Sequence, residues 1–262
     1  MKTANSRIFH LFFQDVFGEI TRKRPFFSTA FQIAAPGSVG VKWCQKKEGS
    51  DPLIRHVIFD MGNVLLRFDP EVFLDRIGAG GEDRDLLRRE VFRSDDWIGM
   101  DRGDHDEPEA AEKMCARLPE RLHPAVRQLV CRWDQPLIPV EGMAALAAEL
   151  KEAGYCLWLL SNASRRQHEY WPRLEVHRYF SGTLISADEG IIKPQAAIYD
   201  RCLDKFGLDA RECFFIDDSA ANIAGAAERG IRGYEFHFDV PALRRAMRAA
   251  GIAVTASGGG PI

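Results

Sequence analysis

The 262-residue chain has no surplus of charge of either sign: 35 lysines and arginines stand against 38 aspartates and glutamates, for a formal charge of −3. It therefore lacks the basic footprint of a nucleic-acid-binding protein. It also lacks an apolar run of the ~20 residues that a bilayer-spanning helix needs, so a membrane is not an expected partner. Six cysteines, at 44, 115, 131, 156, 202 and 213, make no Cys-x-x-Cys pair and no metal-ligand spacing. That argues against both a zinc module and a disulfide framework. Cys156 and Cys213 fall within apolar runs, where a reduced thiol acts as a small hydrophobe. The expected location is the reducing cytoplasm. No internal repeat interrupts this picture. With 46% hydrophobic and 28% charged residues, the composition allows a sizeable core, in one large domain or two modest ones.

The first 52 residues differ from the rest of the chain. Ile8 to Phe13 is apolar, but too short and too soon followed by Asp15 and Glu19 to read as a signal peptide. Pro25, Pro36-Gly37-Ser38 and Gly49-Ser50-Asp51-Pro52 are linker-like. Residues 1–52 are expected to be a poorly ordered extension. Partner binding or targeting is the functional alternative, a translation-start artefact the bland one. At the other end, residues 253–262, rich in glycine, are expected to form a disordered tail.

The stretch that organises the remainder is His56 to Asp69, HVIFDMGNVLLRFD. Val57-Ile58-Phe59 reads as a buried strand that ends in a carboxylate, Asp60, and then in the turn signal Gly62-Asn63. Asp69-Pro70-Glu71 is a helix start, with N-cap, first-turn proline and first-turn acid together. From 70 to 139 the pattern is helical: Ala111, Met114, Cys115 and Leu118 keep a 3.6-residue period, as do Val126, Leu129, Val130 and Trp133. That segment is too long for a simple crossover between parallel strands, so an inserted helical cap is expected over 70–139. Helix and strand alternate afterwards. Strands are expected at Tyr155–Leu160, Thr183–Ala187, Cys213–Ile216 and Ile231–Phe238, with a polar stretch of helical character after Ser161-Asn162, to about Phe180. Strands separated by helices give an α/β, doubly wound parallel sheet, with a core of residues 53–69 and 140–252.

In such a sheet the carboxyl ends of the strands share one edge, where ligands bind. Asp60, Ser161 with Asn162, Lys193, and Asp217 with Asp218 all lie at or just past a strand end or before a helix. Three carboxylates brought together repel, and a hard divalent cation such as Mg²⁺ removes that cost. Lys193 and the Ser161 hydroxyl then cradle an anion. A carboxylate held against a phosphoryl group can attack it and form an aspartyl phosphate.

These four stretches, HVIFDMGNVL, LWLLSN, IIKPQAAIY and FFIDDSAANIAGA, resemble in order and spacing the motifs of the haloacid dehalogenase superfamily, across residues 56 to 250. The resemblance implies a Rossmann-like core with an inserted cap. It implies Asp60 as nucleophile, Lys193 as catalytic and substrate-binding ammonium, Ser161 and Asn162 as substrate-binding residues, and Asp60, Asp217, Asp218 and the Gly62 carbonyl as Mg²⁺ ligands, Asp218 foremost. The DMGNVL form and SNASRRQHEYWP are most similar to phosphatases acting on α-glucose 1-phosphate and to the phosphatase domain of soluble epoxide hydrolases. The implied function is a Mg²⁺-dependent phosphatase of a small phosphate ester, with a sugar 1-phosphate as the suggested substrate.

One departure stands out. Most phosphatases of the superfamily carry a second aspartate two residues after the nucleophile, to protonate the leaving alcohol. Here that position is Gly62. Two other readings compete. In a 2-haloacid dehalogenase-type hydrolase the nucleophile attacks carbon without a metal, which the acidic pair Asp217-Asp218 argues against. The other is a catalytically weak phosphate-binding regulatory protein, supported by Gly62 alone. Asp104 and His105, His168 and Trp171 are weaker substrate candidates, since such residues are most often simply exposed or packed.

Overall fold

The computed structural model describes residues 53–256. The extension expected over 1–52 and the tail residues 257–262 lie outside the described residues. Five parallel strands form one sheet: β1 (His56–Phe59), β2 (Cys156–Ser161), β3 (Phe180–Ile185), β4 (Cys213–Asp217) and β5 (Arg232–Glu235), in the order β3-β2-β1-β4-β5. The central position of β1 explains its unbroken apolar run, because a strand with neighbours and helices on both sides is buried on both faces. Val57 and Phe59 enter one apolar cluster with Met143, Leu146, Leu243 and Met247. Ile58, pointing the other way, enters a second with Trp158, Ile198, Tyr199 and Phe215.

Helices cover both faces. After β1 the chain forms α1 (Pro70–Arg76), α2 (Gly81–Leu87), a π-helical turn at Arg88–Phe92, α3 (Asp95–Arg102), α4 (Glu107–Cys115) and α5 (His123–Cys131). Asp69 caps α1 as its sequence demands, accepting from the Glu71 N–H at 2.9 Å. Met114, Val126 and Val130 are fully buried in a third apolar cluster, which this helical segment builds with Phe73, Leu87 and Phe92. α6 (Met143–Glu152) buries Met143, Leu146, Ala147 and Leu150, the stripe expected from spacing. The remaining helices are α7 (Gln167–Tyr170), α8 (Ser186–Glu189), α9 (Ala196–Phe206), α10 (Ala220–Ala227) and α11 (Val240–Ala249). No helix among the described residues is long and apolar enough to cross a membrane.

Three expectations shift. The stretch after β2 forms only α7 and two 3₁₀ turns, Trp171–Arg173 and Glu175–Tyr179, because Leu174 between them is extended (φ −81°, ψ 129°). β3 begins at Phe180 rather than Thr183. The tail expected to loosen at 253 is held further along: Val254 is buried, and Glu149 accepts from the Thr255 N–H at 2.5 Å.

Candidate active site

Sheet order places the site. From β1 the chain winds outward through β2 and β3, then returns to the other side of β1 for β4 and β5. The crevice where winding reverses lies beyond the carboxyl ends of β1 and β4. Register does the rest. Phe59 pairs with Ile216, and the Asp60 N–H donates to the Ile216 carbonyl at 2.8 Å, so Asp60 leaves β1 directly beside Asp217. Asp218 comes next in the chain. Ligand oxygens of Asp60, Asp217 and Asp218 all lie within 4.8 Å of one another.

Lys193 enters from the loop before α9. Its Nζ donates to Asp60 Oδ1 and Asp217 Oδ2, both at 2.7 Å, and to the Leu160 carbonyl at 3.0 Å. Only 1% of its surface is accessible. Burial works against its ammonium, yet Asp217 and Asp60 outweigh that and hold its pKa above the ordinary lysine value. Burial pushes the Asp60 carboxyl up, Lys193 pulls it down, and Asp217 and Asp218 push it up again. Asp218 is raised to about 6, chiefly by burial and then by Asp217, with Asn63 opposing. Three carboxylates thus face one ammonium, and the cluster carries an excess of negative charge in a poorly solvated place.

Supporting residues distinguish the two members of the acidic pair. Asp217 is enclosed by protein donors: the Ser219 N–H at 2.9 Å, Asn222 Nδ2 at 3.0 and 3.1 Å, and Lys193. Asp218 receives Asn63 Nδ2 at 3.0 Å. Asn63 can do so because it sits in the left-handed region (φ 54°), which asparagine tolerates, and its own Oδ1 takes the Phe68 N–H. Gly62-Asn63 is therefore a turn that aims a carboxylate. Asn162 holds the loop that carries Lys193: its Oδ1 accepts the Lys193 N–H at 2.8 Å and its Nδ2 donates to the Lys193 carbonyl at 3.0 Å. Its side-chain amide thus positions the backbone of Lys193. Ser161 is buried at the end of β2.

The helical segment reaches this crevice through the end of α3. Ser186 Oγ donates to the Asp101 carbonyl at 2.5 Å and accepts the Ala163 N–H at 2.9 Å. Arg165 donates to the Gly103 carbonyl at 3.1 Å, and the Ser164 hydroxyl binds Glu107. Asp101 and Glu107 are so brought over the loop that leaves β2. Tyr170, buried beside Trp133, feels Asp101, Asp134, Glu107 and Asp60 together; burial first, and these charges next, keep its phenol protonated. Asp104 and His105 are not part of the crevice. Asp104 pairs with Arg102, and His105 packs on Gly99 and bonds the Asp96 carbonyl at 2.8 Å. His168 pairs with Asp188 at 2.8 Å, and Trp171 donates to Thr183 Oγ1 at 3.1 Å.

Asp101 is the residue that sequence reasoning passes over. The available signal is its place in the last turn of a helix, where a carboxylate opposes the helix dipole and is normally avoided.

Residues 54–230 match the family model of haloacid dehalogenase-like hydrolases. A sesquiterpene phosphatase of Aspergillus oryzae is 27% identical over 191 residues, 67% of this chain and 86% of that protein. A glyceraldehyde 3-phosphate phosphatase of Pyrococcus abyssi is 31% identical over 101 residues, 38% of this chain and 42% of that protein. Among solved structures, a haloacid dehalogenase family enzyme of Bacteroides thetaiotaomicron, in complex with magnesium and inorganic phosphate, superimposes with a TM-score of 0.56 at 22% identity. It covers 71% of this chain and 96% of its own, and at that identity it speaks to the fold alone.

Proposed function

The chain belongs to the haloacid dehalogenase-like hydrolases, and on that premise we propose that it is a Mg²⁺-dependent phosphatase in which Asp60 is the nucleophile. The observation that carries this reading is the convergence of Asp60, Asp217, Asp218 and Lys193 at the sheet's switch point. The residues fit the cation: hard oxygen donors in excess over the one ammonium are the ligand set Mg²⁺ prefers. Asp60, Asp217, Asp218 and the Gly62 carbonyl would hold it, Asp218 most strongly, since protein donors already occupy Asp217. When bound, the ion neutralises charge on the transferring phosphoryl group.

The chain's own residues do the remainder. Asp60 attacks phosphorus, and an aspartyl phosphate forms as the ester oxygen departs; water then releases phosphate. Lys193, fixed between Asp60 and Asp217, faces any phosphoryl group brought to Asp60. Ser161 at the end of β2 holds a phosphoryl oxygen, and Asn162 holds Lys193 in place. The acidic cluster disfavours the dehalogenase reading, because attack on carbon calls for no divalent cation.

The finer proposal is a small, hydroxyl-rich ester such as a sugar 1-phosphate. The two phosphatase relatives support a phosphate ester of small size. The acidic residues Asp101 and Glu107, brought over the loop that leaves β2, make a polar wall that suits a hydroxyl-rich ester better than an apolar chain. Residues 70–139 act as the cap that carries this wall over a core of 53–69 and 140–252. Buried free thiols at Cys115, Cys202 and Cys213 suit a reducing, cytoplasmic setting. The test is a panel of sugar 1-phosphate, sugar 6-phosphate and terpenyl phosphate, with Mg²⁺ and with chelator. Turnover that needs Mg²⁺ and favours the sugar esters is expected; turnover untouched by chelator would overturn the metal reading, and preference for the terpenyl ester the sugar reading.

A further inference from the structure

Gly62 leaves the reaction without a proton donor beside the nucleophile. A departing alkoxide must then carry its negative charge unaided, unless another acid reaches it. Asp104 is tied to Arg102 and His105 to the Asp96 carbonyl, so neither is free to serve. Glu107 is engaged by the Ser164 hydroxyl. No donor among the described residues bonds the Asp101 carboxyl, whereas its backbone is fixed firmly through Ser186 to the loop that leaves β2. Asp101 keeps partly accessible surface, and its carboxyl lies near enough to Lys193, the residue that bonds Asp60, to feel that ammonium.

We propose that Asp101, delivered by the C-terminal turn of α3, is the general acid and base of the reaction, taking the place that Gly62 leaves vacant. This rests on the phosphatase reading with Asp60 as nucleophile. As the Asp60 oxygen bonds to phosphorus, the bond from phosphorus to the ester oxygen breaks, and that oxygen takes the Asp101 proton and leaves as the alcohol. Water then attacks the phosphorus of the aspartyl phosphate and gives a proton to the Asp101 carboxylate. The bond from phosphorus to Asp60 breaks, phosphate leaves, and both side chains return to their starting states.

The surroundings fit this duty. Burial raises the Asp101 carboxyl to about 7, Glu107 adds to that, and Lys193 restrains it. The carbonyl end of α3 favours the neutral acid in the same sense. An acid poised near neutrality can both give and recover a proton. The groups facing it are Glu107 from α4, Tyr170 from α7, Lys193 before α9 and, on α8, Ser186, with Asp188 there paired to His168.

The experiment compares the native protein with Asp101→Asn and Glu107→Gln, each with Mg²⁺, on an alkyl phosphate and on an aryl phosphate whose phenol is a good leaving group. Loss of a general acid typically costs ~10²–10⁴-fold. In kcat/KM, which reports only the steps up to the aspartyl phosphate, Asp101→Asn should lose that much on the alkyl ester and less than about 10-fold on the aryl ester, whereas loss of the base slows phosphate release after either ester. The native rate on the alkyl ester should fall as pH rises past neutrality, because only protonated Asp101 donates, and Asp101→Asn should lack that descending limb. Glu107→Gln should keep it. Equal losses of kcat/KM in Asp101→Asn on both esters, or an unchanged limb, would overturn the proposal while leaving Asp60 chemistry standing. If the native protein turns over neither ester, the phosphatase reading itself fails. A thermal melt of Asp101→Asn separates misfolding from chemistry, since an unfolded variant loses both esters alike.

Discussion

Replacing Lys193 by methionine removes one charge from a buried triad and keeps nearly the same side-chain length. Three hydrogen bonds disappear, to Asp60 and Asp217 at 2.7 Å and to the Leu160 carbonyl at 3.0 Å. Two carboxylates then lie buried without their partner, a situation that typically costs ~3–5 kcal/mol. The cost depends on pH in a defined direction. Lys193 is charged throughout the range from acid to mildly alkaline, because its folded pKa is raised and its stabilisation is complete below the unfolded lysine value. In Lys193→Met the Asp60 carboxyl, already raised by burial, loses the ammonium that pulls it down and moves up further, so the folded state keeps a proton that the unfolded state has released. Stability then falls as pH rises, by about 1.4 kcal/mol for each pH unit over which a carboxyl is neutral folded and charged unfolded. Urea unfolding of both proteins without added metal, at about pH 5 and about pH 8, measures this directly. The variant should be closer to native stability at the lower pH. A variant as stable as native at the higher pH, or one that loses more at the lower, would refute the electrostatic account of the triad.

Other consequences are as specific. Asp218→Ala should raise the Mg²⁺ concentration needed for half-maximal activity sharply with little loss of stability, whereas Asp217→Ala, which strips partners from Lys193, Ser219 and Asn222, should lower the melting temperature; the reverse pattern would exchange their roles. Gly62→Asp fits the turn, since a Cβ there meets nothing nearer than Phe68 Cβ at 3.9 Å. In an Asp101→Asn background it should recover alkyl-ester turnover, and no recovery would show that its carboxylate does not reach the leaving oxygen. Gly103→Ala should destabilise by ~2 kcal/mol or more in denaturant unfolding, because φ is +82° and the added Cβ would lie 2.2 Å from the Ala187 carbonyl oxygen. A neutral effect would mean that the end of α3 is not pressed against α8 as described.

Much of this site is legible in the sequence, for local reasons. An apolar run ending in Asp60, or in Asp217-Asp218, announces both a buried strand and its functional end, since side chains past the strand have left the core. Helical stripes such as Met143, Leu146, Ala147 and Leu150 are equally plain, because burial repeats with the helix period. Edges fare worse. β3 borders only β2 and is half exposed at its start, so its apolar pattern blurs its beginning. β5 ends at Glu235 although Phe236 and Phe238 continue the pattern, because Phe238 turns left-handed at φ 57° and the chain leaves the sheet. That the Asn162 amide bonds the backbone of a loop 31 residues away is likewise not legible in the sequence, because no local pattern records that contact. Asp101 is invisible for a stronger reason: its significance depends on the end of α3 meeting a loop some sixty residues further along, a contact no local period records.

Covalent capture at Asp60 tests the central claim most directly. The protein is mixed with a phosphate ester and Mg²⁺, quenched during turnover, and reduced with borohydride, which converts an aspartyl phosphate to homoserine. The peptide containing residue 60 is then read by mass spectrometry. The account predicts homoserine at position 60 in the presence of ester, and neither label nor turnover in Asp60→Asn. Steady turnover with no modification of Asp60, or turnover retained by Asp60→Asn, would contradict it.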